Sequence, residues 1–229
     1  MLNCSLCRFN GNIYFGIIFS KIKIKIIMID KTTIEIKKQE FINLLRSTNR
    51  EGIDKVIDFL EKSDFFYAPA SSIHHGNYEG GLLEHSMNVY NIAIKLYEDF
   101  KEISPEKMTN IPIESVIIAS LLHDICKTYF YVPKIKSRKN EDNEWEQYIG
   151  YEINDQLPLW HGAKSVILLQ MIGLQLTIDE MLAIQWHMGA WNNGYTESST
   201  KRSMGDAYTR SPLCLIVHCA DSMATFILE

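Results

Sequence analysis

His123 and Asp124 stand side by side at the end of an apolar run, IIASLLHD. Imidazole nitrogen and carboxylate oxygen are donors that borderline divalent metals accept. A His-Asp pair at the end of a buried helix costs free energy unless something satisfies it. Metal ligation would do so, and so would neighbouring hydrogen bonds; the dipeptide alone leaves both readings open. Four further positions add weight to the metal: His85 in GGLLEHS, His161 opening HGAKS, His187 in QWHMG and Asp221 in VHCADSMAT. Each lies on its own mostly apolar segment. A lone histidine on such a face is ordinarily a core residue held by a hydrogen bond, but five segments each delivering a ligand-competent group form a constellation.

Other polar residues surround that set. Lys127 lies four residues after His123 on the same helical face. It is placed either to hold a phosphate or to sit solvated at a helix C-terminus, where the dipole favours cations. Lys164 follows His161 by three and is a weaker phosphate candidate. His74 and His75 precede Gly80-Gly81 and are candidates for substrate contact, with a polar loop as the alternative. His218, three residues before Asp221, is read as structural. Asp206 and Arg210 are read as solvated loop residues.

The elements that must position these groups are mainly helical. Apolar spacing predicts helices over Thr33–Leu45, Ile53–Leu60, Leu82–Phe100, Glu114–Lys127, Pro158–Gly173, Thr177–His187 and Ser211–Leu228. FFYAPASSIHHGNYEGG reads as a loop, and so does the segment punctuated by Pro105 and Pro112. GAWNNGYTESSTKRSMGDAYTR reads as a long polar loop bordering a site. Residues 129–153 break the pattern: YFYVPKIKSRK, the turn signal EDN and EWEQYIGYEI predict an inserted β-hairpin. Its Trp145, Tyr148 and Tyr151, with Lys134, Lys136 and Arg138, could grip a nucleotide or single strand. An ordinary hairpin with a solvated charged face is the alternative, and Glu141, Asp142 and Glu144 weaken any basic patch. The expected fold is an all-α domain with one small hairpin.

The 229 residues carry a net charge of −5 and a pI near 5.8, which excludes a global basic field of the kind a nucleic-acid coat presents. The five cysteines, Cys4, Cys7, Cys126, Cys214 and Cys219, are odd in number and irregularly spaced, unlike a secreted disulfide framework. The C-x-x-C pair at Cys4 and Cys7 lacks the partner pair a zinc ribbon needs, and the other three read as small hydrophobes. No G-x-S-x-G elbow or P-loop is present. Residues 1–27 differ from the rest: IYFGIIFS is too short to span a membrane, and KIKIKII would suit an edge strand. Met28 opens a conventional helical sequence, so the expectation is a dispensable leader over 1–27, a domain over 28–229 and a cytoplasmic protein without membrane contact.

The order H … HD … H … H … D resembles the HD superfamily of metal-dependent phosphohydrolases, over roughly residues 65–229. HHGNYEGGLLEHS, LLHDICK, HGAKS and HCADSMAT carry the resemblance. The HH … GGLLEHS opening is similar to that of HD proteins related to 3′-to-5′ exoribonucleases, although no OB domain is evident. The resemblance implies an HD-type helical bundle in which His85, His123, Asp124 and Asp221 hold one metal. Asp124 would bridge to a second metal held by His161 and His187. It implies two transition-metal ions drawn from Mn, Fe, Zn, Co or Ni, and hydrolysis of a nucleotide or other phosphate ester by a metal-bridged hydroxide. Asp124 and Lys127 are the expected catalytic residues. His74, His75, Lys127 and Lys164 are the expected substrate contacts. A small phosphorylated ligand is the expected partner, with short single-stranded nucleic acid as an alternative. An exonuclease, a dinuclear iron oxygenase and a non-catalytic metal-binding regulatory module are the competing functions.

Overall fold

A computed structural model describes residues 31–191 and 197–229. The apolar run, the Lys/Ile alternation, the Cys4–Cys7 pair and Met28 lie outside the described residues. In chain order the helices are α1 (Lys31–Ser47), α2 (Ile53–Lys62), α3 (Gly81–Ile103), α4 (Pro105–Met108) and α5 (Ile113–Leu122). After the strands β1 (Tyr131–Lys139) and β2 (Trp145–Ile153) come α6 (His161–Ile172), α7 (Ile178–Trp186), α8 (Ser198–Arg210) and α9 (Pro212–Met223). No single described helix is long and apolar enough to cross a membrane.

α5 is the axis of the bundle. Every residue from Ser115 to Leu122 is buried, as expected for a helix apolar on all sides. α3 packs on α5 and α9, α7 packs on α5, α6 and α9, and α1 and α2 close the outside. Phe41, Phe65 and Phe66 lock α1 to the chain after α2, with centroids 5.4–5.7 Å apart. α7 begins with a capping box. Thr177 Oγ1 accepts from the Glu180 backbone N–H, and the Glu180 carboxylate accepts from that of Thr177. Fully buried, the same carboxylate also accepts from Arg50 (2.6 Å) and from Ser115 on α5 (2.7 Å), tying three segments together.

Several elements differ from the sequence expectation, and α6 opens at His161 rather than Pro158. α5 stops at Leu122 rather than Lys127. Asp124 leaves helical geometry at φ −107°, ψ 17°, and residues 125–127 tighten into a 3₁₀ turn. In that turn residues three apart lie on one side, which brings the Lys127 ammonium to 2.7 Å from Asp124 Oδ2. The expected polar loop after Gly189 contains α8. Its polar composition hides a narrow apolar strip, Met204, Ala207 and Tyr208, packed on the core; residues 192–196 of that loop lie outside the described residues. The segment between the two prolines also holds a one-turn helix, α4, started by Pro105.

The hairpin was legible. β1 and β2 pair antiparallel from Tyr131↔Ile153 to Lys139↔Trp145, with the turn closed by Asn140 Oδ1 accepting from the N–H groups of Asp142 and Glu144. The register places Tyr131, Pro133 and Ile135 with Ile153, Tyr151 and Ile149 on one face. The other face carries Lys134, Lys136 and Arg138, and its cations are engaged. Lys134 pairs with Glu152, Arg138 pairs with Glu146 and stacks on Tyr148, and Lys136 donates to the Tyr151 carbonyl.

One glycine decides how closely two histidine-bearing helices approach. A Cβ on Gly162 would lie 2.2 Å from the Gln185 carbonyl oxygen. The contact sits one residue past His161 and two before His187, whose rings are 5.1 Å apart. Gly162→Ala should therefore force α6 off α7. Overpacking of this kind costs about 1–3 kcal/mol, which urea denaturation with and without added metal would register as lower stability and a smaller metal-induced gain.

Candidate metal centre

The five segments picked out by the sequence converge. His85 comes from the second turn of α3, His123 and Asp124 from the end of α5, and His161 from the first residue of α6. His187 caps the C-terminus of α7, and Asp221 lies on α9. Asp124 is at the middle and faces two ways. Its Oδ2 is 3.4 Å from His123 Nε2, 3.6 Å from His85 Nε2 and 2.7 Å from Lys127 Nζ. Its Oδ1 is 2.6 Å from His161 Nε2 and 3.5 Å from His187 Nε2. Asp221 Oδ1 is 3.2 Å from His85 Nε2. His187 also clusters with His123 and Asp221, so it stands between the two groups of ligands rather than wholly beside His161. The site is nearly sealed: the His85, His123, Asp124 and His187 side chains are at most 3% exposed, whereas His161 is 30% exposed. Solvent reaches the centre from the His161 side.

The imidazoles are oriented from behind. His123 Nδ1 donates to the Ser120 carbonyl (2.8 Å) and His187 Nδ1 to the Ile184 carbonyl (2.6 Å). A carbonyl only accepts, so the proton sits on Nδ1 and each Nε2 offers a lone pair inward. His85 Nδ1 faces the Glu229 carboxylate, and His161 Nδ1 faces Cys126 Sγ at 3.2 Å. With Nδ1 protonated, the lone pairs of His85 Nε2 and His123 Nε2 would confront each other at 3.3 Å, and His187 Nε2 is buried with no hydrogen-bond partner. Inward-facing lone pairs and buried carboxylates form a donor set that a divalent cation satisfies.

The electrostatics agree with mutual dependence. Burial pushes the Asp124 carboxyl upward, but Lys127 and the surrounding imidazoles outweigh it and hold the group well below the usual carboxylate range. Asp221 is likewise held low by His85 and its neighbours against the cost of burial. Burial would lower His85, yet its contacts with Asp221 and Glu229 raise it to about 9. Burial dominates at His161 and lowers it.

The remaining candidates divide. Lys127 is buried against Asp124 rather than solvated. His75 reaches the centre, its ring 5.0 Å from that of His85, whereas His74 is exposed. The Lys164 ammonium is engaged elsewhere, 2.6 Å from Asp155 Oδ1 and 4.8 Å from the centre of the Phe130 ring. His218 Nδ1 donates to the His187 carbonyl at 2.6 Å, so it shapes the backbone behind His187. Cys214 is buried among apolar side chains as expected. Cys126 does more than pack: its thiol, pushed up to about 12 mainly by burial, contacts His161 and borders the site. Glu229 went unnoticed because nothing in its local sequence marks it. The Ser120 and Ile184 carbonyls had a signal: both lie three residues before a histidine at a helix end, where carbonyls lack intrahelical partners.

The HD domain family profile matches residues 82–225, which includes His85, His123, Asp124, His161, His187 and Asp221. The chain belongs to that family. It is 33% identical over 116 residues to the dihydroneopterin 2′,3′-cyclic phosphate phosphodiesterase of Methanocaldococcus jannaschii. The match covers 50% of this chain and 41% of that relative. No solved structure matches.

Metal uptake should carry a proton signature. Asp221 and Glu229 raise His85 to about 9, so below that value a cation at Nε2 would compete with a proton. Apparent affinity should rise about tenfold per pH unit between pH 7 and 9 and then flatten. Isothermal titration in buffers of different ionisation enthalpy would count the released proton, and a pH-independent affinity would contradict the arrangement.

Proposed function

We propose that this HD-domain protein is a metal-dependent phosphodiesterase acting on a small, ring-bearing phosphate ester. One observation carries the reading: Asp124 directs its two carboxylate oxygens toward two different groups of imidazoles. On that basis His85, His123 and Asp221 would hold one divalent cation and His161 and His187 a second, with Asp124 common to both. Mixed nitrogen and oxygen donors suit Mn, Fe, Zn, Co or Ni. Such cations, when bound, supply Lewis acidity at the phosphoryl oxygens and lower the pKa of a bound water.

The chain's own residues account for the rest. The six ligands would hold the cations in a nearly dry site, where charge interactions strengthen. Lys127 adds a permanent cation, since its ammonium is held charged by Asp124 despite burial. Once a cation shares the Asp124 charge, Lys127 is free to turn to a phosphate oxygen. His75 lines the same centre and is the better placed of the two loop histidines to meet substrate.

The relative's substrate joins a cyclic phosphate to a planar heterocycle, and the hairpin root offers a surface for such a ring. The Phe130 N–H donates to the Lys127 carbonyl (3.2 Å) and Phe130 packs on Tyr131, at 4.9 Å between ring centres. Tyr131 is half-buried and lies within the field of Lys127 and Asp124, and Tyr151 follows it on the same face. Of the hairpin's four cations, Lys134 and Arg138 are matched by carboxylates and Lys136 donates to a carbonyl, which counts against a track for a long nucleic-acid strand.

A metal-resolved activity panel tests the proposal. It should offer 2′,3′-cyclic phosphates of nucleosides and pterins, 3′,5′-cyclic nucleotides and short single-stranded RNA, with oxygen uptake recorded in parallel. Cleavage of the small cyclic esters is expected; oxygen consumption without ester cleavage would favour the iron oxygenase instead. Tyr131→Ala should raise KM for ring-bearing substrates about tenfold, since ring stacking is worth ~1–3 kcal/mol. It should leave hydrolysis of a ring-free alkyl cyclic phosphate unchanged. His161→Ala with His187→Ala should reduce bound metal from two ions per chain to one, as read by elemental analysis.

A further inference from the structure

Each of the four ligand imidazoles is held from behind at Nδ1, by one of three kinds of group. His123 and His187 use helix carbonyls, His161 uses a thiol, and His85 alone uses a carboxylate. That carboxylate belongs to Glu229, whose two oxygens each lie 3.2 Å from His85 Nδ1. It is far from an incidental surface pair. The Glu229 side chain is 5% exposed and the His85 side chain 1%. Asn88, one turn after His85 on α3, donates to Glu229 Oε1 at 2.9 Å and fixes the carboxylate on its other side. The fold spends an unusual element on this placement. After α9 the chain widens into a π-helical turn, Ala224–Leu228, and the Glu229 N–H bonds back to the Ala224 carbonyl at 3.1 Å. That turn packs on α3 and swings Glu229 across to His85.

We infer that Glu229 is a positioning residue for the metal centre. It accepts the Nδ1–H of His85, fixes the tautomer and the ring plane, and makes Nε2 a stronger donor toward the cation shared with Asp124 and Asp221. Glu229 lies on the Nδ1 side of the ring, opposite the Nε2 that faces Asp221 and His123. It is therefore placed to orient His85 rather than to ligate at the same centre. A carboxylate behind a ligating histidine raises the basicity of the ring, and removing such a partner typically weakens metal binding by about 10–100-fold. The inference rests on His85 ligating through Nε2, as proposed above.

The full chain, stripped of metal, should be titrated with Zn²⁺ by calorimetry as wild type, Glu229→Ala and Glu229→Gln. Glu229→Ala should weaken Zn²⁺ binding at the His85 site by about 10–100-fold. Glu229→Gln should recover part of the loss, because the amide oxygen still accepts from Nδ1–H without supplying charge. In the Zn²⁺-loaded wild type, long-range ¹H–¹⁵N spectra should show His85 protonated at Nδ1. Circular dichroism should show the same helix content in all three proteins. If Glu229→Ala does not fold, the glutamine variant and the wild-type tautomer carry the test. Affinity unchanged in a folded variant, glutamine no better than alanine, or His85 protonated at Nε2 would each overturn the inference. A wild type that binds no Zn²⁺ would overturn the metal-centre reading beneath it as well.

Discussion

The structure is organised around one buried carboxylate. Asp124 sits where α5, the most apolar helix of the bundle, comes to an end, and almost no water reaches it. An ionised carboxylate there is costly unless other charges and donors surround it. The groups that do so are drawn from four further helices: His85 from α3, His161 from α6, His187 from α7 and, through His85, Asp221 from α9. The site and the core are thus one construction. Displacing any of these helices would leave a charge unpaired in a low-dielectric interior, which explains why such close backbone approaches as that at Gly162 are built in beside ligands.

Orientation of the imidazoles comes almost without cost from helix architecture. The last carbonyls of any α-helix lack intrahelical partners. His123 and His187 each follow directly on the last residue of a helix and take up the carbonyl three residues back. One hydrogen bond satisfies an orphan acceptor, fixes the tautomer and leaves Nε2 pointing inward. His85 and His161 lie near helix starts, where no such carbonyl is available. They borrow Glu229 and Cys126 from elsewhere in the chain. The position of a histidine along its helix therefore determines what kind of group must support it.

This difference also explains what was legible in the sequence. His85, His123, Asp124, His161, His187 and Asp221 stand out because a polar donor on an apolar helical background is improbable, and the order of the six is specific. The hairpin stands out because aromatic and β-branched residues flank a turn signal. Glu229 and the Glu180 network do not, because a glutamate is ordinary in sequence and becomes distinctive only when folding buries it. α8 was hidden by composition: three apolar residues in thirteen give too faint a stripe to read before the α9 surface that covers them is known. The early stop of α5 was hidden for the opposite reason. IIASLLHDICK is uniformly helix-compatible, so nothing in it marks the turn after Leu122 that brings the Lys127 ammonium to Asp124 Oδ2.

That pair shows how the centre balances charge in the chain itself. Two carboxylates, Asp124 and Asp221, are buried beside a single lysine, so the protein part of the site leans negative and attracts cations. Lys127 offsets part of this charge within 2.7 Å of Asp124 Oδ2, the oxygen that also faces His85 and His123. A divalent cation on that side would compete with the ammonium for the same oxygen. The lysine would then be left charged and buried, needing a new anion close by. On the proposed reading a phosphate ester would supply that anion within reach of Lys127. Cation binding would then create a demand for an anionic substrate, and a neutral ester would leave the lysine unsatisfied.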